Sequence, residues 1–252
     1  GDVWRVQGVA GRPRAGESTL DVGASGTAAR FLTAVAALRS GTSIVDGTAR
    51  LRERPVVELV DALRVLGVDA VIEGVNGCPP VRIHGGAVLG GEVEIDASRS
   101  SQYVSALLLV APFAARPVVV HLRDGRLASR PYVDVTLDVM RDFGAQAAWQ
   151  TASVLAVEPG GYRARRFAIE PDVSTAAYFF AAAAITGGRV VVEGLAVLEP
   201  HDGPLTEFLF DSGDGKLEGF AAVLFVHRSA SPLFSYTAHS FSSQEACRQV
   251  GH

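Results

Sequence analysis

The sequence predicts an α/β fold made of repeated β/α units. The first observation is an internal repeat, because three similar segments place Thr27, Ser101 and Thr175 in the same position, 74 residues apart. The second is that β-branched runs alternate with helical periodicities, which is typical of layered α/β proteins. The third is the order of elements, which runs strand, buried helix, strand, amphipathic helix and further strands. At 252 residues we expect a compact arrangement of a few such units rather than a solenoid.

Three buried helices are predicted at the repeated segments, because each segment is apolar on nearly every side. A hydroxyl residue opens each of them, as helix N-termini favour. Two amphipathic helices are predicted, which begin at Arg54-Pro55 and at Arg130-Pro131. In both, the proline would occupy the first turn, and a glycine follows the last turn.

Short strands are predicted between the helices. They are alternating or β-branched segments at 42–46, 70–73, 81–84, 93–96, 117–122, 167–170 and 189–193. Residues 1–170 are therefore predicted to hold two β/α units, and 171–200 to begin the next unit. Residues 201–252 break the pattern and form an atypical tail, which carries four of the six histidines and the single lysine, Lys216.

Composition excludes several classes of protein. The net charge of −4 gives no indication of nucleic-acid binding. Two cysteines, Cys78 and Cys247, are too few for a disulfide framework or a zinc cluster. The longest apolar stretch, 103–115, is shorter than the ~20 residues that a membrane-spanning helix needs. No signal peptide opens the chain, which predicts a cytoplasmic protein, and the first residue, Gly1, suggests a fragment.

The helix starts are the candidate anion sites, since free backbone N–H groups and the positive end of the helix dipole meet there. Ser100, Ser101 and Gln102 add two hydroxyls and an amide, although plain N-capping is the alternative interpretation. Arg54 and Arg130 precede helix-opening prolines at matching repeat positions, where a cation faces the positive helix end unless an anion lies nearby. Solvated loop arginines are the alternative.

Three further residues lie next to these positions. Arg30, one turn into the first buried helix, is a third candidate cation, or else a member of a salt bridge at the rim. Ser129 and Tyr132 bracket Arg130-Pro131, and for Ser129 helix capping is favoured over anion binding. No spacing of acids, histidines or cysteines selects a catalytic base or a metal site.

At these motifs the chain resembles the 3-phosphoshikimate 1-carboxyvinyltransferase (EPSP synthase) family, from about residue 17 to 196. The motifs that carry the resemblance lie in order at 25–30, 51–63, 79–83, 100–108, 130–137 and 170–179. The resemblance implies an inside-out α/β barrel architecture of two domains, each with three β/α units, of which this chain is an incomplete part. Residues 1–170 would then make most of one domain, and 171–200 would begin the next unit. It also implies transfer of the enolpyruvyl group of phosphoenolpyruvate to the 5-hydroxyl of shikimate 3-phosphate, with release of phosphate. A monomer with no cofactor and no metal is expected.

The resemblance also assigns site residues. It implies that shikimate 3-phosphate is held by Ser100, Ser101, Gln102, Ser129 and Tyr132, with the three serines at its phosphate and Tyr132 against its ring. It implies that phosphoenolpyruvate is held by Gly26, Thr27, Arg30, Arg54 and Gln102, with Thr27 and Arg30 in a supporting role. Gln102 would touch both substrates.

The chain departs from the family pattern in three ways. The family's opening unit, with its Lys-Ser substrate motif, is absent, and its second-domain acids, lysine and arginines are not found after residue 200. Ala24 stands where the family usually has asparagine. Catalytic residues therefore stay unknown, and the isolated chain is expected to be inactive.

Two alternatives stay open. One is a relative that acts on UDP-N-acetylglucosamine, which shares the fold but usually has a reactive cysteine in the loop that is 123–130 here, where this chain has none. The other is a non-catalytic remnant that binds anions. A turnover assay with both substrates separates an enzyme from a binding module.

Overall fold

The structure is a computed structural model that describes residues 3–169, 171–186, 190–193, 221–227 and 235–241. It contains two compact units, Gly1–Arg165 and Arg166–His252. Each unit is described by itself below.

The first unit contains two copies of one β/α module. The elements of the first copy are β1 (Ser18–Asp21), α1 (Gly26–Ala36), β2 (Gly41–Asp46), a short 3₁₀ turn (Leu51–Glu53), α2 (Val57–Val65), β3 (Asp69–Ile72) and β4 (Val81–Gly85). Those of the second copy are β5 (Gly91–Ala97), α3 (Gln102–Val110), a 3₁₀ turn (Ala111–Phe113), β6 (Val118–Leu127), α4 (Arg130–Asp142), β7 (Ala147–Thr151) and β8 (Val154–Val157).

The two copies have the same sheet topology. Their strand orders are β1-β2-β4-β3 and β5-β6-β8-β7. In each copy the first pair is parallel and the other two pairs are antiparallel. In each copy a helix connects the two parallel strands, as a parallel pair requires. The α/β fold class predicted from the repeat is therefore confirmed.

One apolar core runs through both copies. Helix α3 packs against α1, α2 and α4, while α2 also packs on β5. Seven of the nine residues of α3 are buried, in agreement with its apolar sequence. Leu59 and Leu63 of α2 are fully buried, and each contributes about 1.5–3 kcal/mol to stability. This packing places the starts of α1 and α3 side by side.

The second unit contains α5 (Val173–Thr186), β9 (Val191–Glu193), β10 (Ala221–His227) and β11 (Ser235–Phe241). Its strands form an antiparallel sheet in the order β10-β11-β9, and α5 packs against β11. The predicted tail therefore contributes two strands, while its residues 201–220, 228–234 and 242–252 lie outside the described residues.

Two expectations for this region are wrong. Helix α5 is not fully buried, since Tyr178 and Ile185 are 78% and 82% exposed. An all-round apolar surface buries itself only where neighbours surround the helix, and here β11 covers one side. The strand expected at 167–170 is not formed at 167–169, where no strand pairs with the backbone and Ile169 is exposed.

The predicted helix starts are shifted. Ser25, not Thr27, caps α1, because its Oγ accepts from the Ala28 N–H at 3.1 Å. Ser101 precedes α3 without accepting a capping bond. Helix α2 begins at Val57, two residues after Pro55, whereas Pro131 lies in the first turn of α4 as predicted.

Candidate functional site

The candidate site lies where the parallel strands of both copies end. Strands β1 and β2 end in register at Asp21 and Asp46, and β5 and β6 end close together, with Ala97 opposite Leu127. The segments that follow these four strands carry every residue predicted for the site: Gly26, Thr27, Arg30, Arg54, Ser100, Ser101, Gln102, Ser129 and Tyr132. The carboxyl ends of parallel strands are a common place for ligand sites in α/β folds.

A hydrogen-bond network joins the two copies at this edge. Gln102 Nε2 donates to Thr27 Oγ1 at 2.9 Å. Arg30 Nη1 donates to Gln102 Oε1 at 2.7 Å and to Ser100 Oγ at 3.3 Å. Four residues that are up to 75 positions apart in the sequence therefore form one connected group. The alternative interpretation of Arg30 as half of a rim salt bridge is wrong, since its partners in the described residues are neutral.

Arg30 and a buried tyrosine hold the backbone next to Arg54. Arg30 Nη2 donates to the Pro55 carbonyl at 3.2 Å, and the Tyr103 hydroxyl donates to the same oxygen at 3.1 Å. The Arg30 guanidinium carbon lies 4.8 Å from the centre of the Tyr103 ring, which is within the range of a cation–π interaction. Tyr103 is 1% exposed, and burial raises the pKa of its hydroxyl, which therefore stays a proton donor.

Sequence reasoning missed Tyr103. The repeat contains a signal that could have found it, because Ala29 and Ala177 occupy the equivalent positions of the other two copies. A large side chain with a polar end, at a position where the other two copies have alanine, indicates a role that is specific to the second copy.

Gly26 and Arg54 are in direct contact. A Cβ atom at Gly26 would lie 2.8 Å from Arg54 Nη1 and 3.0 Å from its Cδ, so the arginine side chain lies across the first residue of α1. The Arg54 guanidinium has no hydrogen-bond or ion-pair partner within the described part of the chain. A solvent-facing cation without a partner, next to a helix N-terminus, is suited to bind an anion.

Ser101 and Ser129 have geometries that plain capping does not explain. Ser101 is 7% exposed, and neither serine accepts a capping bond at the helix that it precedes. Ser129 has φ 51°, in the left-handed region that non-glycine residues rarely adopt. The capping role favoured for Ser129 is therefore wrong, and its hydroxyl is available for another partner.

Strands β5 and β6 lead into the segments that carry Ser100 and Ser129. The Ala128 N–H donates to the Ala97 carbonyl at 2.9 Å, so the loops that lead into α3 and α4 leave the same sheet edge together. Tyr132 is 60% exposed. In the described residues no side-chain hydrogen bond joins Ser129 to the network of Thr27, Arg30 and Gln102.

Arg130 does not share the environment of Arg54. Its guanidinium stacks 3.8 Å from the centre of the Trp149 ring, and Nη1 donates to the Ala152 carbonyl at 3.0 Å. Asp134 completes the group, since its Oδ1 accepts from Trp149 Nε1 at 2.7 Å and its Oδ2 lies 3.8 Å from Arg130 Nε. The interpretation of Arg130 as an anion-binding partner of Arg54 is therefore wrong, and stacking on the sheet explains its position.

The described residues contain neither a metal-binding cluster nor a membrane-spanning helix. Within them, no group of three or more histidine, cysteine, aspartate or glutamate side chains lies close enough together to hold a metal ion. Of the helices in the same ranges, none combines the length and apolar character needed to cross a membrane.

The fold and the site together define an α/β repeat protein in which hydroxyl, amide and guanidinium groups of two copies come together at one sheet edge. Comparison with known proteins gives the family. The chain belongs to the EPSP synthase (3-phosphoshikimate 1-carboxyvinyltransferase) family, whose family model matches residues 1–206.

Its relatives agree with this assignment. The chain is 47% identical over 184 residues to the 3-phosphoshikimate 1-carboxyvinyltransferase of Methanoculleus marisnigri. The matched region covers 73% of this chain and 43% of that protein. It is 42% identical over 192 residues to the Nostoc sp. enzyme of the same name, covering 76% and 45%. An EPSP synthase structure from Acinetobacter baumannii superposes with a TM-score of 0.62 at 27% identity, covering 88% of this chain and 47% of that one. The chain thus spans about half the length of the relatives that it matches.

Proposed function

We propose that this chain supplies one wall of the active site of an enzyme that transfers the enolpyruvyl group of phosphoenolpyruvate to the 5-hydroxyl of shikimate 3-phosphate. The products are 5-enolpyruvylshikimate 3-phosphate and inorganic phosphate. The observation that carries the proposal is the free Arg54 guanidinium over Gly26, beside a network that reaches Ser100 through Arg30. Family membership supports the same reaction.

In this proposal the two anionic substrates take two adjoining positions. Ser100, Ser101 and Ser129 bind the phosphate of shikimate 3-phosphate with hydroxyl and helix-start N–H donors. The exposed ring of Tyr132 packs against the shikimate ring. Gln102 lies between the two positions and contacts both substrates.

Phosphoenolpyruvate binds at Gly26 and Arg54. The guanidinium offers two parallel N–H donors to a phosphate or carboxylate, and the absence of a side chain at Gly26 lets the ligand and the arginine approach the start of α1. Thr27 and Arg30 support this position through their bonds to Gln102. A cation fixed next to the transferred group stabilises negative charge as it develops.

Proton transfer requires groups that we do not assign in this chain. One proton must reach the phosphoenolpyruvate methylene and another must leave the attacking hydroxyl. The sequence has no lysine before Lys216, and the candidate site contributes no acid or base. We therefore propose that the 252-residue polypeptide binds substrate weakly and does not turn over by itself.

We further propose the setting in which this wall works. Residues 1–170 form most of one domain of the enzyme, and 171–200 begin a unit of the next domain. The protein is a cytoplasmic monomer. It uses no cofactor, because the reaction transfers a group between two small anions without a redox step. Gel filtration of the purified chain tests the monomer.

Binding and turnover test the proposal separately. Titration calorimetry of the purified chain with shikimate 3-phosphate should give weak binding that Ser101→Ala reduces about tenfold or more, as expected for a hydrogen bond to a charged group. Ser40→Ala is the matched control, since Ser40 is exposed at the opposite end of α1. Equal binding by both variants would contradict the assigned phosphate position. Phosphate release from both substrates well above the Ser101→Ala background would contradict the proposed inactivity.

A further inference from the structure

We propose that Tyr103 is a positioning residue for phosphoenolpyruvate binding, because its hydroxyl fixes the Pro55 carbonyl and thereby holds Arg54 over Gly26. The inference rests on the proposed function for its consequence in binding. The positioning itself rests on the geometry of the described residues. Tyr103 touches neither substrate position directly, since its side chain is buried beneath the site.

The backbone on both sides of Pro55 is held by three elements. The Arg54 N–H donates to the Leu51 carbonyl at 2.9 Å, and the Val56 N–H donates to the Gly77 carbonyl at 2.8 Å. Between them, the Pro55 carbonyl accepts from Tyr103 at 3.1 Å and from Arg30 at 3.2 Å. Proline fixes its own φ, so the tyrosine hydroxyl restrains the remaining freedom of the segment that carries Arg54.

The contact also crosses between copies. Tyr103 belongs to α3 of the second copy, whereas Arg54 and Pro55 belong to the first. The hydroxyl of Tyr103 therefore ties the arginine to the helix whose start carries Ser100 and Ser101. A displacement of the second copy relative to the first would move Arg54 with α3.

The fold itself does not require a tyrosine here. Ala29 occupies the same position in α1 and is fully buried there, so a small side chain is compatible with a buried helix at this point of the repeat. Arg30 continues to satisfy the Pro55 carbonyl if the tyrosine hydroxyl is removed. The hydroxyl is thus dispensable for satisfying the backbone but not for holding it in one place.

Tyr103→Phe tests the inference because it keeps the ring and removes only the hydroxyl. Tyr162→Phe is the matched control, since the Tyr162 hydroxyl donates to the Leu109 carbonyl at 2.9 Å, in the last turn of the same helix. We expect hydrogen exchange of the Arg54 amide to become about fivefold faster in Tyr103→Phe, the worth of one neutral hydrogen bond. Tyr162→Phe should leave that amide unchanged, and neither variant should change exchange at Val60 in α2.

Ligand binding provides the second measurement. Titrated with phosphoenolpyruvate in the presence of shikimate 3-phosphate, Tyr103→Phe should bind phosphoenolpyruvate about fivefold more weakly and shikimate 3-phosphate with unchanged affinity. A purely structural role would weaken both ligands together and accelerate exchange throughout the unit.

The outcomes separate this inference from the proposed function. Unchanged Arg54 exchange in Tyr103→Phe, or equal acceleration in both variants, overturns the inference. Phosphoenolpyruvate affinity that Arg54→Ala reduces but Tyr103→Phe does not also overturns it. If the unaltered chain binds no phosphoenolpyruvate, the proposed binding wall fails, and the exchange measurement still decides whether Tyr103 positions Arg54.

Discussion

Replacing Gly26 with alanine places a methyl group against the Arg54 side chain. The added Cβ would lie 2.8 Å from Nη1 and 3.0 Å from Cδ, both shorter than ordinary contacts. Relief requires the side chain to move by roughly 0.5–1 Å, since non-bonded carbon atoms prefer about 3.5–4.0 Å. The end of an arginine can move, but its Cδ is close to the backbone and has less freedom.

The expected cost falls on binding and not on folding. Hydrogen bonds to a charged group contribute about 1.5–3 kcal/mol, and a displaced guanidinium should lose about 1–2 kcal/mol, or roughly 5- to 30-fold in Kd for phosphoenolpyruvate. Gly26 does not have a positive φ, so alanine is tolerated in the helix and stability should stay within about 1 kcal/mol. Weaker phosphoenolpyruvate binding with little change in the free energy of unfolding is therefore the expected result.

Titration followed by ³¹P NMR measures the affinity for each substrate separately, because the phosphorus signals of the two substrates are distinct. Gly160→Ala is the control, since a Cβ at Gly160 would meet nothing within 4 Å. Phosphoenolpyruvate affinity in Gly26→Ala equal to that of the control would refute the assigned position of Arg54. Equal weakening of both substrates would show a general distortion of the α1 start.

Three further predictions concern stability. Trp149→Ala should lower the free energy of unfolding by about 2–4 kcal/mol, because it removes the stack under Arg130 and the hydrogen bond to Asp134. Urea unfolding followed by circular dichroism measures this loss. A loss below about 0.5 kcal/mol would show that the stack contributes no more than an exposed surface contact. Ser105→Ala should cost about 1 kcal/mol, since the Ser105 hydroxyl is buried against Thr136 at 2.8 Å between α3 and α4; the same assay checks it, with Ser40→Ala as control. Burial raises the pKa of Tyr162 well above its ordinary value, so the folded state holds this proton more tightly and stability should fall as pH rises above about 10. Tyr162→Phe should flatten that decline. An equally steep decline in the variant would show that Tyr162 does not cause it.

The sequence alone predicted the repeat, because helical periodicity and β-branched runs are local properties that recur in each copy. The strand pairs at β1-β2 and β5-β6 follow from the same pattern, since a helix between two strands favours a parallel crossover. The residues of the candidate site were found through family motifs, and the structure brings Thr27, Arg30, Ser100 and Gln102 into one network. Their roles toward ligands stay predictions.

Other features depend on contacts that local sequence does not encode. Arg54 and Arg130 precede prolines in the same way, yet only Arg130 meets an aromatic ring, because Trp149 is supplied by a strand nineteen residues later. Helix α5 is about as apolar as α3, but burial depends on how many neighbours surround a helix rather than on its own residues. Capping at Ser101 and Ser129 failed because backbone conformation, not residue type, decides whether a side chain can cap.

Each of these two sheets takes all of its strands from one copy, and this has a consequence for synthesis on the ribosome. All strands of the first sheet are present once residue 85 has emerged, so its hydrogen bonding does not await later sequence. Its helices are in a different situation, because α1 and α2 bury apolar side chains against α3 and β5, which are translated afterwards. For the time needed to make one more copy, the nascent chain therefore presents a complete sheet with an uncovered helical face, the state in which we expect chaperones to bind it.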